Sequence, residues 1–141
     1  MLKTKLVHPE ILFALGRAGH GARVLIADGD YPVSTTAGMN SEIVHLNLAP
    51  GIVNCTQVLE AILSILLIED AAVMDVPVGQ ADPLIWTEYT KMFKQNDYTF
   101  SLKKFERTAF YSKVATPDTA LVIQTGEIRE YANLLLTIGS L

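Results

Sequence analysis

Two apolar runs near the end of the chain, TALVIQ over 119–124 and ANLLLTIG over 132–139, are joined by only the seven residues TGEIREY. Both runs read as strands bounded by turn-forming residues. A parallel crossover needs a dozen residues or more, so this connection leaves room for an antiparallel strand in whatever sheet the chain builds. Tyr131 and Asn133 fall where the second run begins. A phenol and an amide bracketed by rigid elements are positioned more sharply than a free loop would allow.

The rest of the chain alternates helical and strand patterns. Pro9 suits a first helical turn, Ile11, Leu12 and Leu15 share one face, and Gly19 ends the run. Arg23 to Asp28 (RVLIAD) is nearly continuous in apolar residues, as strands buried on both faces are. Gly29-Asp30-Tyr31-Pro32 breaks it, the loop STTAGMNS follows, and a second strand is predicted from Ile43 to Leu48. Asn54 and Gln57 form a capping pair for the helix VLEAILSILL. A strand from Ala71 to Val76, a helix starting at Asp82-Pro83 and carrying Trp86, Tyr89 and Phe93, and a shorter helix around Phe105 to Lys113 complete the pattern. This order predicts an α/β fold, a three-layer α/β/α sandwich around a mainly parallel central sheet with room for an antiparallel strand, and a single domain over 1–141. In such sheets ligands bind at the carboxyl ends of strands, where Asp28 and Asp75 fall.

Composition narrows the function. A net charge of −4 and a pI near 5.3 leave no basic stripe for nucleic acid. No apolar run approaches the roughly 20 residues that span a bilayer, and the first residues lack a secretory signal pattern, so no membrane partner and a cytoplasmic location are expected. With 50% hydrophobic and 18% charged residues, apolar surface is expected to be covered by a homo-oligomeric contact. The sole cysteine, Cys55, excludes an internal disulfide and reads as a small buried hydrophobe. Three scattered histidines match no HxH, HxxxH or HExxH spacing, so no metal site is expected. Glycine-rich phosphate-binding motifs are missing as well.

Several polar residues stand where chemistry could use them. His20 lies between two glycines, with little bulk to shield its ring, and could exchange a proton near neutral pH or simply be a turn histidine. Asp28 ends the first strand and could hold a hydroxyl or form a turn. Asp75 interrupts an apolar strand, which places it at a rim or in a site. Arg107 and Tyr111, four apart, share a helix face suited to a polyhydroxylated ligand; a salt bridge of Arg107 with Glu106 or Glu127 is the alternative. His8 reads as a helix cap, His45 as a strand residue, and Tyr31 and Tyr98 as structural.

Taken together, HPEILFALGRAGHG, AD-x-x-YP, VLEAILSIL, AAVMD, FERTAFY and TGEIREYANLLLTIG resemble the small sugar mutarotases of the RbsD/FucU family over nearly the whole chain. ERTAFY and AVMD are similar to the fucose branch, which has an arginine where the ribose branch has histidine. Ala22, Asp30 and the YAN triplet depart from that branch, and bear on which sugar is used rather than on the reaction class. The resemblance implies an isomerase that interconverts sugar anomers, with L-fucose or a related hexose as substrate; a ribose-type pyranase and a non-catalytic sugar binder are the rivals. It implies His20 as proton donor, and Asp28, Arg107, Tyr111, Tyr131 and Asn133 as sugar contacts. Met74 falls at a pocket-lining position with Asp75 beside it. It further implies dimers to decameric rings and no metal or organic cofactor. In the expected mechanism His20, oriented by Asp28, serves one face of the ring-opening bond and Tyr131 the other.

Overall fold

The computed structural model describes residues 1–141 and contains one six-stranded sheet. Helix α1 (Pro9–Arg17) leads into β1 (Arg23–Ala27), the short α2 (Val33–Thr36) and β2 (Glu42–His45). Then come α3 (Cys55–Leu63), β3 (Ile68–Met74), α4 (Leu84–Gln95), β4 (Lys103–Phe105) and α5 (Arg107–Val114). Strands β5 (Thr119–Gln124) and β6 (Leu134–Ile138) close the chain. The strand order is β2-β5-β1-β6-β3-β4. Every neighbouring pair is parallel except those of β6, which runs antiparallel to both β1 and β3.

The closing strands are thus not a hairpin. β1 lies between β5 and β6, and the connection from 125 to 133 passes over the end of β1. Other local expectations change as well, and α3 stops at Leu63, four residues before the end of VLEAILSILL. STTAGMNS begins with the helix α2, and β2 ends at His45 rather than Leu48. β3 starts three residues early, at Ile68, and stops at Met74. The edge strand β4 was not legible because KKF exposes both lysines and has only one partner, β3.

Register fixes two rows of side chains across the sheet. Val122, Leu25, Leu135 and Ala72 align on one face, and Ile123, Ile26, Leu134 and Val73 on the other. The second row packs with α1, α3 and α4 in a core of 24 buried residues, including Leu59, Tyr89 and Phe93. The first row packs with α2 and α5 in a smaller core of 10, built around Phe110, Val33 and Tyr31. Two apolar layers on one sheet make the three-layer sandwich. No helix is long and apolar enough to cross a membrane.

Helix α3 begins with the reciprocal box that its sequence encodes. The Asn54 side chain accepts from the Gln57 N–H, and the Gln57 side chain accepts from the Asn54 N–H. Cys55, fully buried, has its thiol pushed up to about 12 by burial, the behaviour of a packing residue rather than a nucleophile. His8 occupies the N-cap of α1 without a side-chain cap bond.

Ile26→Ala, at a fully buried position on β1, is expected to lower stability by about 2–5 kcal/mol. Asn54→Ala should cost only about 1 kcal/mol. Urea melts with unchanged slopes measure both, and equal losses would contradict this division of the core.

Candidate functional site

Because β6 runs against its neighbours, the loop entering it meets the loops leaving β1 and β3 at one sheet edge. Asp28 follows β1, Met74 ends β3, and Asn133 precedes β6. Asn133 fixes this junction by two hydrogen bonds to one residue. Its Oδ1 accepts the Asp28 N–H at 2.9 Å, and its Nδ2 donates to Asp28 Oδ2 at 2.9 Å. The other carboxylate oxygen, Oδ1, accepts the Asp30 N–H at 3.2 Å. Both residues are buried, 6% and 5% exposed, so their polar atoms depend on these partners.

Around this pair lies a cavity of about 240 Å³ lined by Asp28, Met74, Arg107, Tyr111, Tyr131 and Asn133. That is below the size usual for drug-sized ligands, and polar groups converge on it. Asp30, Tyr31 and Glu130 also line it. Tyr31, expected to be structural only, packs edge to face on Phe110 and lies 5.4 Å from the Tyr111 ring, so it belongs to both core and cavity wall. Nothing in the sequence marked its second role. Glu130 gave no signal either, being one of several charges in a turn.

Arg107 starts α5, and its guanidinium lies over the Tyr111 ring, 5.7 Å from the centroid. It forms no salt bridge with Glu106 or Glu127. Glu106 instead caps the helix, accepting from Thr108 and Ala109 N–H groups. Arg107 is thus an exposed cation free to meet a ligand. Contact with Tyr111 and its hydroxyl favours the charged guanidinium and raises its pKa further.

Tyr131 has a left-handed backbone, φ 57°. A non-glycine residue pays roughly 1–2 kcal/mol for that region, so the surroundings must enforce it. Helix α4 does so with two aromatic donors. Trp86 Nε1 donates to the Tyr131 carbonyl at 2.9 Å, and the Tyr89 hydroxyl donates to the Ala132 carbonyl at 2.6 Å.

Two sequence candidates lie outside the cavity. Asp75 accepts its neighbour's N–H, from Val76, and does not line the site. His20 stands at the opposite end of β1, where its Nε2 lies 2.6 Å from Glu69 Oε2. The five residues of β1 separate it from Asp28, roughly 15 Å or more at about 3.3 Å per residue. Asp28 therefore cannot orient His20 within one chain, and the amide of Asn133 is what Asp28 binds. His20 lines a separate groove of about 540 Å³ together with Arg17, Asn40 and Asp118. A third depression, about 630 Å³ beside α4, is edged by Lys91 and Lys94 and contains no buried polar residue.

The family model for the RbsD / FucU transport protein family matches residues 1–141, and the chain belongs to that family. It is 34% identical to the fucose mutarotase of Mus musculus over 146 residues, covering 97% of this chain and 92% of the relative. It is 28% identical to the D-ribose pyranase of Proteus mirabilis, covering 99% and 98%. The fold is shared with the fucose mutarotase of Streptococcus pneumoniae, solved in complex with L-fucose. That match has a TM-score of 0.86 at 24% identity and covers 100% and 99% of the two chains.

Burial pushes the Asp28 carboxyl up from 3.8 to about 6, against the Asp30, Tyr31 and Asn133 hydrogen bonds, which lower it. Between those values the folded chain holds a proton that the unfolded chain has released. Stability from this group therefore rises as pH falls from about 6 toward 3.8 and is flat above about 6. Asp28→Asn turns an NH2 group toward the Asn133 Nδ2 or the Asp30 N–H and loses one hydrogen bond at every pH. The expectation therefore concerns the pH dependence: the parent should gain on the variant by up to about 3 kcal/mol as pH falls from 7 to 4. Urea midpoints at the two pH values measure this; a gap between parent and variant that does not change with pH would contradict the cost assigned to the buried carboxylate.

Proposed function

We propose that this chain is an isomerase that interconverts the anomers of a free monosaccharide by general acid–base ring opening and closure, with L-fucose or a related hexose as substrate. The observation that carries the reading is the cavity itself. It joins a carboxylate, an amide, a phenol and a free guanidinium at one sheet edge, in a chain whose relatives include fucose mutarotases and D-ribose pyranases. The fucose reading draws on Arg107 and Tyr111 and on the higher identity to the fucose mutarotases. The YAN triplet is the feature that keeps D-ribose in the comparison.

Mutarotation removes the proton from the anomeric hydroxyl, breaks the ring C–O bond as a proton reaches the ring oxygen, and reverses both after the carbonyl turns. Tyr131 supplies one proton-transfer group. Asp28 and Asn133, locked to each other, offer a carboxylate edge and an amide edge to sugar hydroxyls. Arg107 binds hydroxyls remote from the anomeric centre, while Met74 and the Tyr31 and Tyr111 rings supply the apolar wall. One positioned acid or base contributes on the order of 10²–10⁴ in rate, enough for a reaction that proceeds unaided in water.

His20 enters as the second proton-transfer group from another copy of the chain. It is exposed, as is its Glu69 partner, and it lies at the opposite end of β1 from its own Tyr131. Leu48 and Ile128 line a neighbouring depression that shares Asp30 with the cavity, and they are exposed, as is Ile52, leaving apolar surface for a contact between copies.

Saturation-transfer NMR on anomeric protons tests the reaction: exchange should accelerate for L-fucose more than for D-ribose, and acceleration for no sugar would defeat the enzyme reading. His20→Ala and Tyr131→Phe should each be nearly inactive. Refolded together in equal amounts they should regain about a quarter of parental activity, since that fraction of shared sites is intact. No recovery on mixing would return His20 to a surface role.

A further inference from the structure

Glu127 and Arg129 lie outside the cavity, yet they make the most heavily bonded ionic contact in the loop that carries Tyr131 and Asn133. The Glu127 carboxylate is 4% exposed. Its Oε1 accepts from the Arg129 N–H at 3.1 Å and from Arg129 Nε at 3.0 Å. Its Oε2 accepts from Arg129 Nη2 at 3.0 Å and from the Cys55 N–H, at the start of α3, at 3.4 Å. The remaining arm of Arg129, Nη1, donates to Glu88 Oε2 on α4 at 2.5 Å. Burial works to raise the Glu127 carboxyl, but the Arg129 donors outweigh it and leave it below its ordinary value, so the pair is ionic.

These bonds tie the loop to two helices just before the left-handed residue. Upstream, Gly126 presses so closely on the 49–52 turn that a Cβ there would lie 2.2 Å from the Ile52 carbonyl oxygen. Downstream, α4 takes hold again through Trp86 and Tyr89. Residues 127 and 129 fill the interval between. A guanidinium that spends both faces of its fork on one buried carboxylate and its last arm on α4 fixes the backbone direction entering Tyr131.

We infer that the Glu127–Arg129 pair, anchored on Glu88, is a positioning device for Tyr131 and Asn133, acting on the proton-transfer step without touching the sugar. The inference rests on the anomer-isomerase reading for its kinetic consequence, and on geometry alone for its structural one. Arg129→Lys keeps the charge but loses the fork. Glu88→Gln weakens the outer anchor and leaves the buried carboxylate paired.

The sole tryptophan, Trp86, reports directly, because its indole N–H donates to the Tyr131 carbonyl. In Arg129→Lys the exchange rate of that indole proton should rise about tenfold or more at a temperature where the variant melts cooperatively. The kcat for anomer exchange should fall about tenfold or more while KM stays within about threefold. Combining Arg129→Lys with Tyr131→Phe should add little further loss, which a general loss of folded protein would not produce. Glu88→Gln should move both readouts the same way by less, and it carries the test if Arg129→Lys does not fold. Unchanged indole exchange in the folded variants, or losses that multiply in the double variant, would overturn the inference. If the parent accelerates no sugar, the isomerase reading fails while indole exchange still decides whether the pair fixes the loop.

Discussion

The reversed direction of one strand decides where everything else can go. β6 enters the sheet between β1 and β3 and runs against both. Its entrance is therefore at the edge where its neighbours exit, and residues from the beginning, middle and end of the chain meet there. Had β6 been parallel, Tyr131 and Asn133 would lie at the opposite edge from Asp28 and Met74. The usual rule that ligands bind at carboxyl ends of strands is kept by β1 and β3. β6 adds Tyr131 and Asn133 to the same cavity from its amino end.

The site is assembled from states that cost free energy in isolation. Asp28 is a carboxylate taken largely out of water, Tyr131 adopts a backbone region that side chains disfavour, and Glu127 buries a second carboxylate. The thick layer of α1, α3 and α4 offsets these costs, and α4 delivers three of the groups that hold the loop, Trp86, Tyr89 and Glu88. The thinner layer of α5 and α2 presents Arg107, Tyr111 and Tyr31 to the opposite wall. Groups held by the two layers thus face each other across one small cavity.

Much of this was legible from residue patterns, and the reasons are local. RVLIAD and TALVIQ are apolar enough to be strands on any reading, and the Asn54–Gln57 box announces the start of α3. The short link to the last strand correctly left room for an antiparallel member, though not for its place beside β1 instead of β5. That place depends on non-local pairing that sequence spacing does not encode. Asp28, Met74, Arg107, Tyr111, Tyr131 and Asn133 do gather in one cavity. The partnership of His20 with Asp28 does not occur in the chain, because a strand separates them, and periodicity along a strand gives no warning about its ends. Glu127 stood in the sequence only as a possible partner of Arg107, and Arg129 carried no signal of its own; burial is what distinguishes the Glu127 carboxylate from a solvated one.

In the proposed reaction Asn133 and Asp28 form the floor of the sugar site. The side-chain amide of Asn133 can be followed by nitrogen–proton NMR while L-fucose is added. A saturable shift of that amide, with the Asn96 amide at the far end of α4 unmoved, is the predicted result. A saturating sugar that leaves the Asn133 amide unchanged, or that moves only groups outside the cavity, would contradict it.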